Sequence, residues 1–193
     1  MIKELENLRK KIFAKVSFSD KEWEDFSSKW RPKIFHKNDF MIKAGEIEKY
    51  FYYVEKGVLR AYHIKDGEEI CVGFTYDGDF SGAYDSLLTK KPTQFYIQAI
   101  VDSSLYAIHR DELNAMYDQY KSVERWGRLF NEELLLGKGL REVAILSFSA
   151  EERYRRLMTQ SPHCLQIIPQ KYLASYLAMT PETFSRLRKK VKL

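Results

Sequence analysis

The last two dozen residues constrain this chain most, because they read as two short amphipathic helices joined by a turn of two residues. Such a short link leaves few ways for the helices to cross. Leu173, Tyr176 and Leu177 fall on one face of the first helix, and Ala174 is small enough for a second helix to pass closely. Ala178-Met179 supplies the turn. Thr180 is a good N-cap, and Pro181 sits at the first helical position, where a missing N–H costs little. Phe184 and Leu187 point back to the core, which leaves Glu182, Ser185, Arg186 and Lys189 outward. A helix-turn-helix places side chains into a DNA major groove with this layout. Arg can pair bidentately with guanine and Glu can accept from cytosine. Lys189, Lys190 and Lys192 suit phosphates, and Gln170, Lys171, Thr180 and Pro181 complete the expected DNA-facing set. The plainer alternative is a solvated basic helix at a chain terminus.

Charge supports the first reading. Net charge is +5 over 193 residues, and from Lys171 onward Glu182 is the only acid against six Lys or Arg. A basic end on a near-neutral body suits double-stranded DNA better than a membrane. The length allows one large domain or two small ones. Cys71 and Cys164 lie far apart without metal-ligand spacing and read as reduced thiols of a cytoplasmic protein. Met1–Arg9 is charged rather than apolar, so it does not read as a signal peptide, and no apolar run reaches the roughly 18 residues a membrane span needs.

Periodicity divides the remainder. Ile2, Leu5, Leu8 and Ile12 repeat at helical spacing, and Ser19-Asp20-Lys21-Glu22 is a capping box opening a second helix through about Trp30, ended by Pro32. From Lys33 to about Arg110, short runs alternate with turn residues, with strands expected at Phe40–Lys43, Tyr50–Lys56, Val58–Ile64, Ile70–Thr75, Phe95–Ala99 and Leu105–His109. Asp66-Gly67 is a strong hairpin signal. Regular short strands predict a barrel or sandwich, with a short helix and loop inserted between Phe80 and Thr93. The aromatic run Tyr50, Phe51, Tyr52, Tyr53 with Phe74, Phe95 and Tyr96 is read as core packing, part of which could line an apolar pocket.

No proline occurs from Thr93 to Ser161, which permits one long helix from about Asp111 to about Ile145. Leu113, Met116, Tyr120 and Val123 follow a coiled-coil spacing, and Trp126, Phe130, Leu134 and Leu140 extend the apolar surface. This predicts a dimerisation helix whose contacts include Leu113, Met116, Tyr120, Val123, Trp126 and Phe130, the alternative being a helix packed on its own barrel. Gly137 and Gly139 weaken it by about 1 kcal/mol each relative to Ala. Ser149-Ala150-Glu151-Glu152 is a second capping box. The expected fold is α+β with three parts: helices and barrel over 1–110, the central helix over 111–146, and the helix-turn-helix over 147–193.

With these elements in order, the chain resembles the Crp/Fnr family of bacterial regulators, built like the cyclic-AMP receptor protein and the fumarate-nitrate regulator. The resemblance runs from about Asp20 to the end. It rests on Gly45-Glu46, Tyr52-Tyr53-Val54-Glu55-Lys56-Gly57, Asp66-Gly67, Gly78-Asp79-Phe80, Gly82 and the closing helix-turn-helix. It implies a cyclic-nucleotide-binding-like β-roll of jelly-roll type, a homodimer, and RNA polymerase as a further candidate partner. Glu182 and Arg186 match family positions that contact bases, whereas Pro181 stands where the family usually has Arg, implying a different operator. The chain stops at Leu193 with no evident wing, so phosphate contacts should lean on the terminal helix.

The resemblance also points to an effector pocket at Gly82, Ala83, Tyr84, Thr93 and Gln94. Family members that bind cyclic nucleotides carry Glu, Arg and Ser where this chain has Ala83, Thr93 and Gln94. Thr93 and Gln94 can hydrogen-bond but cannot neutralise a phosphate, and Lys90 and Lys91 fall on an expected loop tip. A buried, uncompensated phosphate is costly, so cyclic AMP is not the expected effector, and any small molecule in the roll is unidentified. No cofactor is expected. An iron–sulfur cluster needs about four cysteines, and His63 and Cys71 read as core or surface side chains before haem ligands. Two other classes compete with a DNA-binding regulator. One is a ligand-binding or protein-interaction module that no longer reads DNA. The other is a cupin-type enzyme, disfavoured because His36, His63, His109 and His163 form no His-x-His pair.

Overall fold

The computed structural model describes residues 5–191, so the helical repeat at Ile2 and the phosphate contact expected of Lys192 lie outside the described residues. Two compact units emerge, Met1–Arg60 with Phe74–Glu133, and Ala61–Gly73 with Leu134–Leu193.

The first unit begins with α1 (Glu6–Phe13) and α2 (Asp20–Ser27). The Ser19 capping box forms as expected, with Ser19 and Glu22 each satisfying the other's backbone N–H. The strands are β1 (Arg31–Phe35), β2 (Phe40–Ile42), β3 (Tyr50–Lys56), β4 (Leu59–Lys65), β5 (Glu68–Thr75), β6 (Phe80–Ser81), β7 (Tyr96–Ala99) and β8 (Ser103–His109), with the short α3 (Tyr84–Thr89) between β6 and β7. They form two four-stranded sheets, ordered β1-β8-β3-β6 and β2-β7-β4-β5. Strand β1 was not expected, because Pro32 lies within it. As the edge partner of β8, however, β1 can spare the missing N–H. Asp66 and Gly67 join β4 to β5 with φ of 53° and 82°, as a tight hairpin requires.

Strand β3 explains its own composition. Phe51 and Tyr53 pack into a core formed with α1 and α2, while Tyr52 and Val54 alternate to the opposite face and are also buried. The aromatic run is therefore core on both faces. Gly57 follows with φ of 131°, and a Cβ there would lie 2.8 Å from Ser103 Cα, so only glycine fits.

The long helix expected over 111–145 is two helices, α4 (Arg110–Gln119) and α5 (Lys121–Ser147), broken at Tyr120 with φ −130° and ψ 114°. The Tyr120 hydroxyl donates to Asp25 of α2, and Ser122 Oγ donates to Glu22 at 2.6 Å. These bonds hold the break against α2. Gly127 of α5 leaves space for Tyr117 of α4 to lie across it.

The second unit contains the hairpin tip, the C-terminal half of α5, then α6 (Ala150–Gln160), α7 (Cys164–Ile167), α8 (Gln170–Tyr176) and α9 (Pro181–Lys190). The Ser149–Glu152 capping box opens α6. Ser175 Oγ donates to the Glu69 carbonyl (3.0 Å) and accepts from Cys71 N–H (2.9 Å), which places the hairpin tip within this unit. Both cysteines are buried free thiols.

Candidate nucleic-acid interface

Helices α8 and α9 form the helix-turn-helix. Leu173, Ala174 and Phe184 are fully buried where they cross, and Phe184 meets Tyr154 of α6 edge-on at 5.4 Å. Ala178 turns the chain with φ of 50°, and Thr180 Oγ1 accepts from Thr183 N–H at 3.3 Å to cap α9. Pro181 occupies the first turn, as expected.

The outer face of α9 is a shallow concavity lined by Gln170, Pro181, Glu182, Ser185, Arg186, Lys189 and Lys190. Lys171 and Thr180 are exposed beside it, and the Lys171 ammonium rests over the Tyr172 ring. Arg186 and Lys189 are exposed and make no hydrogen bond or ion pair among the described residues. Lys190 differs: its Nζ lies 2.9 Å from Glu151 of α6, which also binds Arg155 at 2.8 Å. The hydrogen bond from Lys190, then that from Arg155, holds the Glu151 carboxyl below its ordinary pKa. Glu182 is likewise held ionised by its own N–H at the helix start and by Thr180. Among the described residues, the arrangement offers two cations without an ion pair, a tethered third, and a carboxylate acceptor along one helix face.

In the roll, Gly82 adopts φ of 154° and leads into α3, with Ala83 buried. Buried Thr93 faces a carboxylate: its Oγ1 donates to Asp85, 2.8 Å from one oxygen and 3.0 Å from the other, and Gln94 N–H donates to Asp85 at 3.1 Å. Tyr84 packs against Phe51 and Phe130 in the helix-side core, where burial raises its pKa. Nearby Glu48 was not anticipated. It is buried, accepts from the Lys49 and Tyr50 N–H groups at 3.0 Å each, and is pushed up to a pKa of about 7 by burial. Its other oxygen has no partner meeting hydrogen-bond geometry, although the Ala83 N–H lies close enough to favour the charged form.

The residues expected to form a dimer seam sit elsewhere. Leu113, Met116, Val123 and Trp126 are buried in the first unit's own core, and Tyr120 and Phe130 pack against it. The break at Tyr120 removes the continuous stripe, and α1 and α2 take up the apolar face. The exposed apolar surface lies further along α5: Leu135 is 74% exposed, Leu136 63% and Leu146 79%, with Leu140 and Val143 between them.

Residues 32–120 match the cyclic nucleotide-binding domain family. The fumarate and nitrate reduction regulatory protein of Yersinia pestis is 27% identical over 172 residues, covering 81% of this chain and 67% of that protein. Over most of its length the chain is similar to that regulator, and over residues 32–120 to cyclic nucleotide-binding domains. Among solved structures it resembles FixK2 of Bradyrhizobium japonicum (TM-score 0.73, 20% identity, 83% of each chain). It also resembles a putative Crp/Fnr-family regulator of Eubacterium rectale (TM-score 0.70, 15% identity, 90% of this chain and 83% of that one). Among the described residues, no helix is long and apolar enough to cross a membrane.

The informative residues missed by sequence reasoning are Leu136, Val143 and Leu146, which continue from Leu140 along one face, and Leu135 beside them. Their three-four spacing was legible, but the more strongly apolar segment upstream masked it. Glu48 gave no signal, since an acid between Glu46 and Lys49 looks like an ordinary solvated turn.

Proposed function

We propose that this chain is a homodimeric, sequence-specific DNA-binding regulator, acting in the cytoplasm. In this reading, two copies of the helix 181–190 enter successive major grooves about 34 Å apart, so the site is roughly palindromic. The observation that carries this reading is the exposed pair Arg186 and Lys189, without a hydrogen bond or ion pair among the described residues, on a capped helix packed in helix-turn-helix fashion. Arg186 and Glu182 read bases, while Lys189, Lys190 and Lys171 hold phosphates. The exposed stripe from Leu135 to Leu146 supports pairing through a second copy of α5. Its centre carries Gly139, beside which nothing lies within 4 Å, so two backbones can approach there.

The effector is not cyclic AMP held by the usual contacts. A cyclic phosphate at Thr93 would meet the Asp85 carboxylate instead of a cation. Isothermal titration of the chain with cyclic AMP is expected to show no heat; micromolar binding would overturn that part.

Selection from a randomised duplex pool at physiological salt tests the main reading. The expected product is an inverted repeat with half-sites one helical turn apart. Arg186→Ala should weaken that site by about 1–3 kcal/mol and relax a single base position. A pool that enriches nothing would show that the helix face does not read DNA.

A further inference from the structure

The C-terminal half of α5, helix α6 and the end of α8 enclose a cavity of about 210 Å³ within the second unit. Leu140, Ala144, Leu157 and Leu177 give it apolar walls. Arg141, Arg153 and Arg156 also line it, and no acid does.

Two of these arginines are partly engaged. Arg141 Nη2 donates to the Tyr176 carbonyl (3.0 Å) at the end of α8. Arg153 donates to Phe148 (2.6 Å) and Ala178 (3.2 Å) carbonyls. Helix C-termini favour cations, so these bonds account for part of each guanidinium. They leave the Nε–H of Arg141 and of Arg153 buried without a partner. Arg156 makes no hydrogen bond or ion pair among the described residues, and it is only partly exposed. Its neighbour Arg155, by contrast, is paired with Glu151.

Buried N–H groups without a partner among the described residues are costly to leave as they are, and although Arg141 also lies over the Tyr176 ring at 4.7 Å, no acid in the lining balances the three guanidinium charges. The volume corresponds to about seven waters of bulk liquid, but apolar walls offer water few partners. An organic anion satisfies both halves of the cavity. We propose that this cavity binds a small organic acid whose carboxylate or phosphate head meets Arg156 and the Nε–H groups of Arg141 and Arg153, and whose short apolar body lies against Leu140, Ala144 and Leu157. Occupancy braces the exposed helix α5 against the first helix of the helix-turn-helix. It therefore acts as an effector input separate from the roll pocket. That consequence rests on the DNA-reading proposal, but the binding itself does not.

Isothermal titration of the full chain without DNA tests it, using hexanoate, hexyl phosphate and the neutral 1-hexanol. At least one anion is expected to bind once per chain, and the anion that binds more tightly identifies the head group. Hexanol should bind about tenfold more weakly or worse. Arg156→Gln should weaken the anion by about tenfold or more, without affecting folding, since Arg156 makes no hydrogen bond or ion pair among the described residues. Ala144→Met, which fills the cavity and keeps all three charges, should abolish the heat. The proposal is overturned if neither anion binds up to about 10 mM, if hexanol binds equally well, or if Arg156→Gln retains full affinity. Because DNA is absent, these outcomes are independent of whether α9 reads an operator.

Discussion

Replacing Leu136 with alanine separates a helix that pairs with a second copy from one that merely carries stray apolar residues. Leu136 leaves 63% of its surface in water on the exposed stripe of α5. Complete burial of a leucine is worth about 1.5–3 kcal/mol, so burying that remainder yields roughly 1–2 kcal/mol per helix. Twofold symmetry repeats the change in the partner, giving about 2–4 kcal/mol per dimer. The dimer dissociation constant should therefore rise about 30- to 900-fold. Alanine is the best helix former, so the loss is not helix melting. Sedimentation equilibrium across a concentration series measures it. Affinity for a full palindrome should fall in parallel, while affinity for an isolated half-site should hold. Leu88→Ala, on an exposed leucine of α3, is the matched control and should change neither. A wild-type chain that stays monomeric at tens of micromolar, or equal dissociation of Leu136→Ala and wild type, would refute the pairing.

Three further outcomes follow from the same geometry. Glu151→Gln removes the carboxylate that competes with phosphate for Lys190, so DNA affinity should rise and the salt slope should steepen by no more than the roughly 0.9 of one phosphate contact, read by fluorescence anisotropy across salt. Glu48 has a folded pKa of about 7, above the unfolded carboxylate value of 4.5, so the folded chain holds a proton that the unfolded chain releases. Stability should fall as pH rises from about 4.5 to about 7, by roughly 3 kcal/mol at most. Glu48→Gln, whose oxygen can keep the two backbone bonds, should flatten that decline in thermal melts taken between pH 5 and 8. Gly57→Ala forces a Cβ toward Ser103 at a positive φ and should destabilise the first unit by about 2–4 kcal/mol, seen as a lowered Tm; an unchanged Tm would mean that the β3–β4 turn relaxes freely.

Local chemistry was the legible part of this chain. The two capping boxes, the Asp66-Gly67 turn and the Thr180-Pro181 helix start each need only neighbouring residues, so the sequence displays them directly. Pairing partners were harder to read. The three-four spacing of Leu113, Met116 and Val123 states that a face is buried but not against what, and α1 and α2 are the answer. The break at Tyr120 depends on Asp25, 95 residues away, and nothing near Tyr120 announces it. Strand β1 was hidden because its residues are mostly exposed and it contains Pro32, both ordinary for an edge. At the candidate site, the α9 side chains were placed correctly on one face, but the Lys190–Glu151 tie was not visible. Thr93 was read as a residue that cannot neutralise charge; the adjacent Asp85 carboxylate, which it faces, emerged only from the fold.

Strand β3 carries a last implication, through its lack of a solvent side. From Phe51 to Val54 each side chain is enclosed, the odd ones under the amino-terminal helices and the even ones on the reverse surface. Substitutions there disturb packing whichever way they point, so this segment offers evolution little freedom to reshape a binding cavity. New ligand preferences would have to be written at the periphery instead, in α3, in the loop reaching Thr93, and in the strands beside it.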